Sequence, residues 1–402
     1  MRRGGPVIAV CVAGLLLPGP AAQAAPRAAP VPGSLPGPLP GCPPQHGIAA
    51  PAGPPWAQRT LRFSSVWDRT RGGGVTVAVV DSGVDANPQF GHRVILGPDL
   101  AAADRGGLVN ADCVGHGTAM ASIIAAAPVP GISFTGVAPA ARILSVKISN
   151  SDTFATGVTP QAIRDAVALG ASVINLSLAA ADDVPALRSA VEFALRSNVV
   201  VVAAAGNDSE QGGTGPFYPA AYPGVLSVGA IGPGGALAGF SDRRTPVSVT
   251  APGVNVTSAY PGVFPDAYDP AQNGTSFAAA FVSGVVALVR SAYPRLDAAQ
   301  VVTRIEATAD GAAGPGTGHG LVNPIRAVTA QAAGEQAAGK RATSKQPARK
   351  ATAGPGAGTV ALTVTAGSFG LLIVVIAAVL AVSAGRRRRP PGAHRVRGSG
   401  PL

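Results

Sequence analysis

Five stretches of this chain are apolar at nearly every position: GVTVAVVD (74–81), ARILSVKIS (141–149), ASVINLSL (171–178), NVVVVAAAGN (198–207) and GVLSVGAIG (224–232). Between them lie amphipathic segments of helical period, PQAIRDAVALG (160–170) and PALRSAVEFALRS (185–197). A strand with no polar face cannot lie on a surface, so it must be covered on both sides. Strands of that kind alternating with helices predict an α/β domain, a parallel sheet with helices on both faces. It is expected to run from 58 to 328, and at 47% hydrophobic content the chain has the material to bury such a core.

The two ends read differently. MRRGGPVIAVCVAGLLLPGPAAQAAP opens with two arginines, an apolar run from Val7 to Leu17 and a small-residue site at Ala22-Gln23-Ala24, the pattern of a signal peptide over 1–24. The arm at 25–57 follows, with eleven prolines in the thirty positions from 26 to 55, a composition that favours extended backbone and cannot pack a core. A flexible linker is expected at 329–359. Residues 360–385 carry no charge, are long enough to cross a bilayer and run straight into Arg386 to Arg389. They read as one C-terminal transmembrane helix, and the arginines set its direction. The basic tail, 386–402, lies in the cytoplasm, and everything before 360 lies outside the cell membrane.

The formal charge of +11 raises the question of a nucleic-acid partner. Eleven lysines and arginines lie from Lys340 onward with no acidic residue among them, which leaves 20 basic and 20 acidic groups before them. The ectodomain is neutral, so the excess serves the linker and the membrane-facing tail, and no nucleic acid is expected. Cys11 leaves with the signal peptide. The remaining pair, Cys42 and Cys113, sits in an exported, oxidising context where it reads most simply as a disulfide. A metal site would need further ligands that neither neighbourhood supplies, so neither metal nor cofactor is expected.

In an open parallel sheet, reactive groups gather beyond the carboxyl ends of the strands. Asp81 closes VTVAVVD there, although a turn or cap aspartate is an alternative reading. His116 stands between glycines at the entrance of a small-residue helix, the one histidine of five so placed. Ser276, in NGTSFAAAFVSGVVALV (273–289), precedes a helix from Ala278 to Val289 with no polar stripe, and on this stretch alone it reads equally as an N-cap. A serine hydroxyl becomes nucleophilic when an imidazole takes its proton and a carboxylate orients the imidazole. Asn207, ending NVVVVAAAGN, could donate to an oxyanion, though Gly-Asn after a strand is also ordinary turn chemistry.

Asp81 in VAVVDSGV, His116 in GHGT, Asn207 in AAAGN and Ser276 in GTSFAAA occur in that order. Together with APG at 251–253 and GHGLVNP at 318–324, the set resembles the subtilisin-like serine proteases, whose triad runs Asp, His, Ser along the chain. The resemblance implies a subtilisin-like fold, a protein or peptide substrate and a serine endopeptidase activity. It also implies that Ser177 and Leu178 belong to the strand that pairs with substrate, and that Ala204, Ala205 and Gly206 line the pocket for the side chain before the scissile bond. With the signal peptide, proline-rich arm, anchor and tail, the chain is more closely similar to mycosins, membrane-anchored proteases of actinobacterial type VII secretion systems. That likeness implies a Cys42–Cys113 pairing, a place in a type VII membrane complex and processing of secreted substrates. A mainly structural role in such a complex is the alternative. Ala280 stands where these proteases usually have proline, Ala179 replaces a common glycine, and a second disulfide seen in many mycosins has no cysteines here.

Overall fold

The structure is a computed structural model and describes residues 47, 49–101, 111–151, 157–207, 215–261, 267–311 and 314–331. The expected signal peptide, spanning helix and tail lie outside the described residues, as do Cys42 and most of the arm and linker.

A short helix, α1 (Trp56–Leu61), and a 3-10 turn (Phe63–Val66) lead into the domain. The order then runs β1 (Thr76–Asp81), β2 (Val94–Asp99), α2 (His116–Ala125), β3 (Arg142–Lys147), α3 (Thr159–Ala168), β4 (Val173–Leu176), α4 (Pro185–Arg196), β5 (Val200–Ala204) and β6 (Leu226–Ile231). After these come β7 (Val249–Pro252), β8 (Val256–Ala259), β9 (Tyr268–Gln272), α5 (Thr275–Ala292), α6 (Ala298–Ala307) and α7 (Pro324–Thr329). Among the described residues β1 to β7 form one parallel sheet in the order β2-β3-β1-β4-β5-β6-β7.

Every residue of β1, β4, β5 and β6 is buried, and alternation within each strand divides their side chains between two cores. Val77 and Val79, with Val200, Val202 and Ala204, pack on the side of α2 and α5. Ala78 and Val80, with Val201 and Ala203, pack on the side of α3 and α4. The apolar runs of the sequence therefore mark strands that feed both layers, and the α/β architecture with helices on both faces holds.

The strands that the pattern did not announce lie at the margins. β2 is an edge strand, half-exposed over most of its length, interrupted by Gly97 and Pro98 and by a register shift between Leu96 and Asp99. β7 is the other edge, and β8 and β9 form a separate antiparallel pair. An edge has a ladder on one side only and tolerates Pro and Gly, so it lacks an unbroken apolar signature. Helix α5 is long and apolar enough to cross a membrane, yet it is buried along nearly all its length within the domain.

Candidate active site

Asp81 is the last residue of β1, and its side chain is fully buried. The turn after it bends under α2, and contact there is close: a Cβ on Gly117 would fall 2.0 Å from the Gly83 carbonyl oxygen, so only glycine lets the helix settle on that turn. Gly115, at φ 92, caps α2 in the left-handed region and turns the chain so that His116 begins the helix. His116 Nδ1 then lies 2.8 Å from Asp81 Oδ1 and 2.9 Å from Oδ2. An ionised carboxylate only accepts, so Nδ1 carries the proton and Nε2 is left as the basic nitrogen. The Ser82 N–H also donates to Asp81 Oδ1 at 2.7 Å, a second bond that fixes the carboxylate.

Ser276 is the second residue of α5, after Thr275, and Gly274 occupies the N-cap with no side-chain cap bond. The N-cap reading of Ser276 is therefore overturned: its hydroxyl donates instead to the Ser177 carbonyl at 3.1 Å. In return the Ser177 hydroxyl donates to the Ser276 carbonyl at 3.1 Å and accepts from Asn175 Nδ2 at 2.8 Å. This exchange ties the start of α5 to the end of β4. The His116 ring stands edge-on to Phe277, the next residue, with centroids 5.9 Å apart.

Asn207 follows β5. Its Oδ1 accepts from both the N–H and the hydroxyl of Thr275, each at 2.8 Å. Because the Thr275 N–H can only donate, the amide oxygen must face it and the NH2 group points away from that bond. The first turn of α5 thus sets the orientation of the amide.

A cleft of about 260 Å³ opens beside Ser276. Ser177, Leu178 and Ala179 form one wall, Ala204 and Gly206 another, and Asn207 and Thr275 flank the serine. Ala205 is placed differently from its neighbours: it is fully buried, its N–H donates to the Val228 carbonyl at 3.0 Å, and it is not among the lining residues. Ser177 to Ala179 follow the end of β4, and Ala180 pairs with Tyr218 by two backbone bonds of 2.8 Å. Phe217 lines the cleft although nothing in the sequence around it signals that role. Its ring packs against Gly206 and lies beneath the Arg244 guanidinium, which is paired with Asp242. Among the described residues no group of three or more His, Cys, Asp or Glu side chains gathers as a metal site. Cys113 is buried just ahead of α2.

Residues 72–324 match the subtilase family, peptidase S8. Mycosin-1 of Mycolicibacterium smegmatis is 35% identical over 329 residues, covering 68% of this chain and 72% of that protein. Mycosin-4 of Mycobacterium tuberculosis is 35% identical over 391 residues, 83% of each. Among solved structures, the serine protease MycP1, described as an essential component of the type VII (ESX-1) secretion system, superposes with a TM-score of 0.61 at 33% identity. That superposition covers 75% of this chain and 99% of that one.

Proposed function

The chain belongs to the subtilase family of serine endopeptidases, and within it to the mycosins, and on that premise we propose that Asp81, His116 and Ser276 form its catalytic triad. The observation that carries the assignment is the His116 imidazole held by both oxygens of a fully buried Asp81 and standing edge-on to Phe277, the residue after Ser276, which lines a cleft. In the reaction Ser276 gives up its bond to the Ser177 carbonyl and passes its proton to His116 Nε2 as Oγ attacks the peptide carbonyl. Asp81 stabilises the imidazolium that results. The oxyanion is met by the Asn207 NH2 group and the Ser276 N–H, the latter at the positive end of α5. Collapse expels the amine, which takes the proton from His116, and water then releases the acyl group by the same steps in reverse. Leu178 and Ala179 supply the extended backbone against which a peptide lies, and Ala204 and Gly206 face the side chain before the cut. A fluorophosphonate added to the full-length chain is expected to form one adduct, located on Ser276 by peptide mapping, and an adduct elsewhere would overturn the assignment.

The wider setting is part of the same reading: an ectodomain carried outside the cell membrane by the signal peptide, held by the 360–385 span with its C-terminus in the cytoplasm, and serving a type VII secretion complex by processing secreted proteins. Support comes from the charge-free run that ends in four arginines and from the described link of the related MycP1 to such a system. A chain stopped after residue 330 is expected to be exported and soluble. Carbonate extraction of membranes from cells expressing it checks this, and protein retained in the pellet would place the anchor elsewhere.

The arm braces the domain in this reading. Where it enters the described residues it is docked: the Trp56 indole N–H donates to the carbonyls of Val254 and Asn255, and the Ala52 carbonyl accepts from the Ser133 hydroxyl at 3.4 Å. Pairing Cys42 with Cys113 closes a loop of about 70 residues and contributes up to about 4 kcal/mol through the chain entropy it removes from the unfolded state. Cys42→Ser is therefore expected to lower the melting temperature without raising peptidase activity. A strong gain in activity on removal of residues 25–55 would instead make the arm an inhibitory propeptide.

A further inference from the structure

Asp112 lies on the segment just before α2 and is fully buried. A buried carboxylate is costly unless its lone pairs are filled, and here they are. Oδ1 accepts from the Ser82 hydroxyl at 2.7 Å, the Gly115 N–H at 2.7 Å and the Val114 N–H at 3.2 Å. Oδ2 accepts from the Thr118 N–H at 2.8 Å and the Thr118 hydroxyl at 2.6 Å. The donors fall in two groups. Val114, Gly115 and Thr118 bracket His116, whereas Ser82 directly follows Asp81.

Ser82 has one hydroxyl proton and two acceptors near it, Asp112 Oδ1 at 2.7 Å and Asp81 Oδ1 at 3.2 Å. The shorter bond takes the proton. Its lone pair accepts the Gly117 N–H at 2.9 Å, and its own N–H holds Asp81. Ser82 is thus gripped on one side by Asp112 and on the other by the first turn of α2, while it grips the carboxylate that orients His116. A carboxylate that served only to cap α2 would have no need of the strand beyond. Asp85 registers the same charge: its carboxylate accepts the Asp112 N–H at 3.4 Å and is pushed up to about 6, first by burial and then by Asp112, against the pull of Lys147.

We propose that Asp112 is a positioning residue of the protease, a buried clamp that locks the turn after Asp81 to the first turn of the His116 helix. It keeps both Asp81 oxygens within reach of His116 Nδ1. The inference rests on the triad assignment above. Asp81 and His116 are 35 positions apart and sit on different elements, so the separation of their side chains depends on how strand and helix are joined. Asp112 and Ser82 make that join from polar groups.

The test uses the full-length chain in detergent, with Asp112→Asn, Ser82→Ala and the double variant. Each is titrated with a fluorophosphonate so that rates are per competent site, and hydrolysis of a p-nitrophenyl ester is followed. A misplaced base costs about ten- to a hundredfold, so each single variant is expected to lose that much in kcat with KM changed less than about twofold. Because both substitutions break one chain of contacts, the double variant is expected to be no slower than the worse single variant to within about twofold. A kcat per titrated site reduced by less than about tenfold in both single variants would reduce Asp112 to a stabilising cap, even with a lower melting temperature. Losses that multiply in the double variant would overturn the clamp as well. Should Asp112→Asn yield no titratable site, Ser82→Ala decides alone by the same threshold. Ser276→Ala is assayed alongside, and activity surviving in it would overturn the triad itself and not the role of Asp112.

Discussion

Ser276→Ala is expected to abolish both fluorophosphonate labelling and peptide cleavage while leaving the fold in place. The two halves of that expectation have separate physical grounds. Removing the nucleophile of a serine protease lowers turnover on the order of a millionfold, since the base and the oxyanion donors then have no covalent step to assist. Folding loses much less. The hydroxyl is partnered by the Ser177 carbonyl at 3.1 Å, a neutral bond worth about 1 kcal/mol. The return bond runs from the Ser177 hydroxyl to the Ser276 backbone, so it survives the substitution. The rest of the α5 side chains pack with the sheet and do not involve Oγ. Cleavage and labelling by the variant are compared with wild type at equal melting temperature, and undiminished cleavage would remove Ser276 from the mechanism. Secretion by cells carrying the same variant separates the enzyme from a purely structural subunit, because a protein that only braces a complex would lose no biological function with the hydroxyl.

The second large effect is expected at Asn207. Loss of one oxyanion donor lowers kcat by roughly two to three orders of magnitude, with little change in KM because the donor acts on charge that develops only in the transition state. Asn207→Ala carries a complication that the geometry exposes. The amide oxygen also holds the Thr275 N–H and hydroxyl, so removing it loosens the first turn of α5 next to Ser276. Asn207→Asp separates the two roles. Its carboxylate can keep both bonds from Thr275 but has no N–H to offer, and it places negative charge where the oxyanion must form. It is expected to be at least as slow as Asn207→Ala while melting closer to wild type. A rate unchanged in both variants would return Asn207 to the standing of a turn residue.

What was legible in the sequence follows from which signals are local. A run such as VTVAVVD states that a strand is buried on both faces, and the first polar residue after it, Asp81, marks the sheet end where chemistry collects. His116 between glycines and Ser276 ahead of an unstriped helix are local signals too, and their order sufficed to point to the family. Membership in the edge strands was not legible. β2 is interrupted by Gly97 and Pro98, and β7 is four residues long and ends in Pro252, so periodicity says little about them.

The finer structure of the site belonged to the fold. Ala204, Ala205 and Gly206 are consecutive small residues that composition cannot tell apart, yet Ala204 and Gly206 line the cleft and Ala205 does not. Phe217 lines that cleft with its ring against Gly206, and Asp112 is a single acidic letter until Ser82, 30 positions earlier, is brought to its oxygen. By itself, then, the sequence determined the layers and the order of the candidate reacting groups, because apolar period and strand-end position are properties of neighbouring residues. Only the tertiary structure decided which groups touch, because each such contact joins distant parts of the chain and its geometry depends on how strands and helices pack.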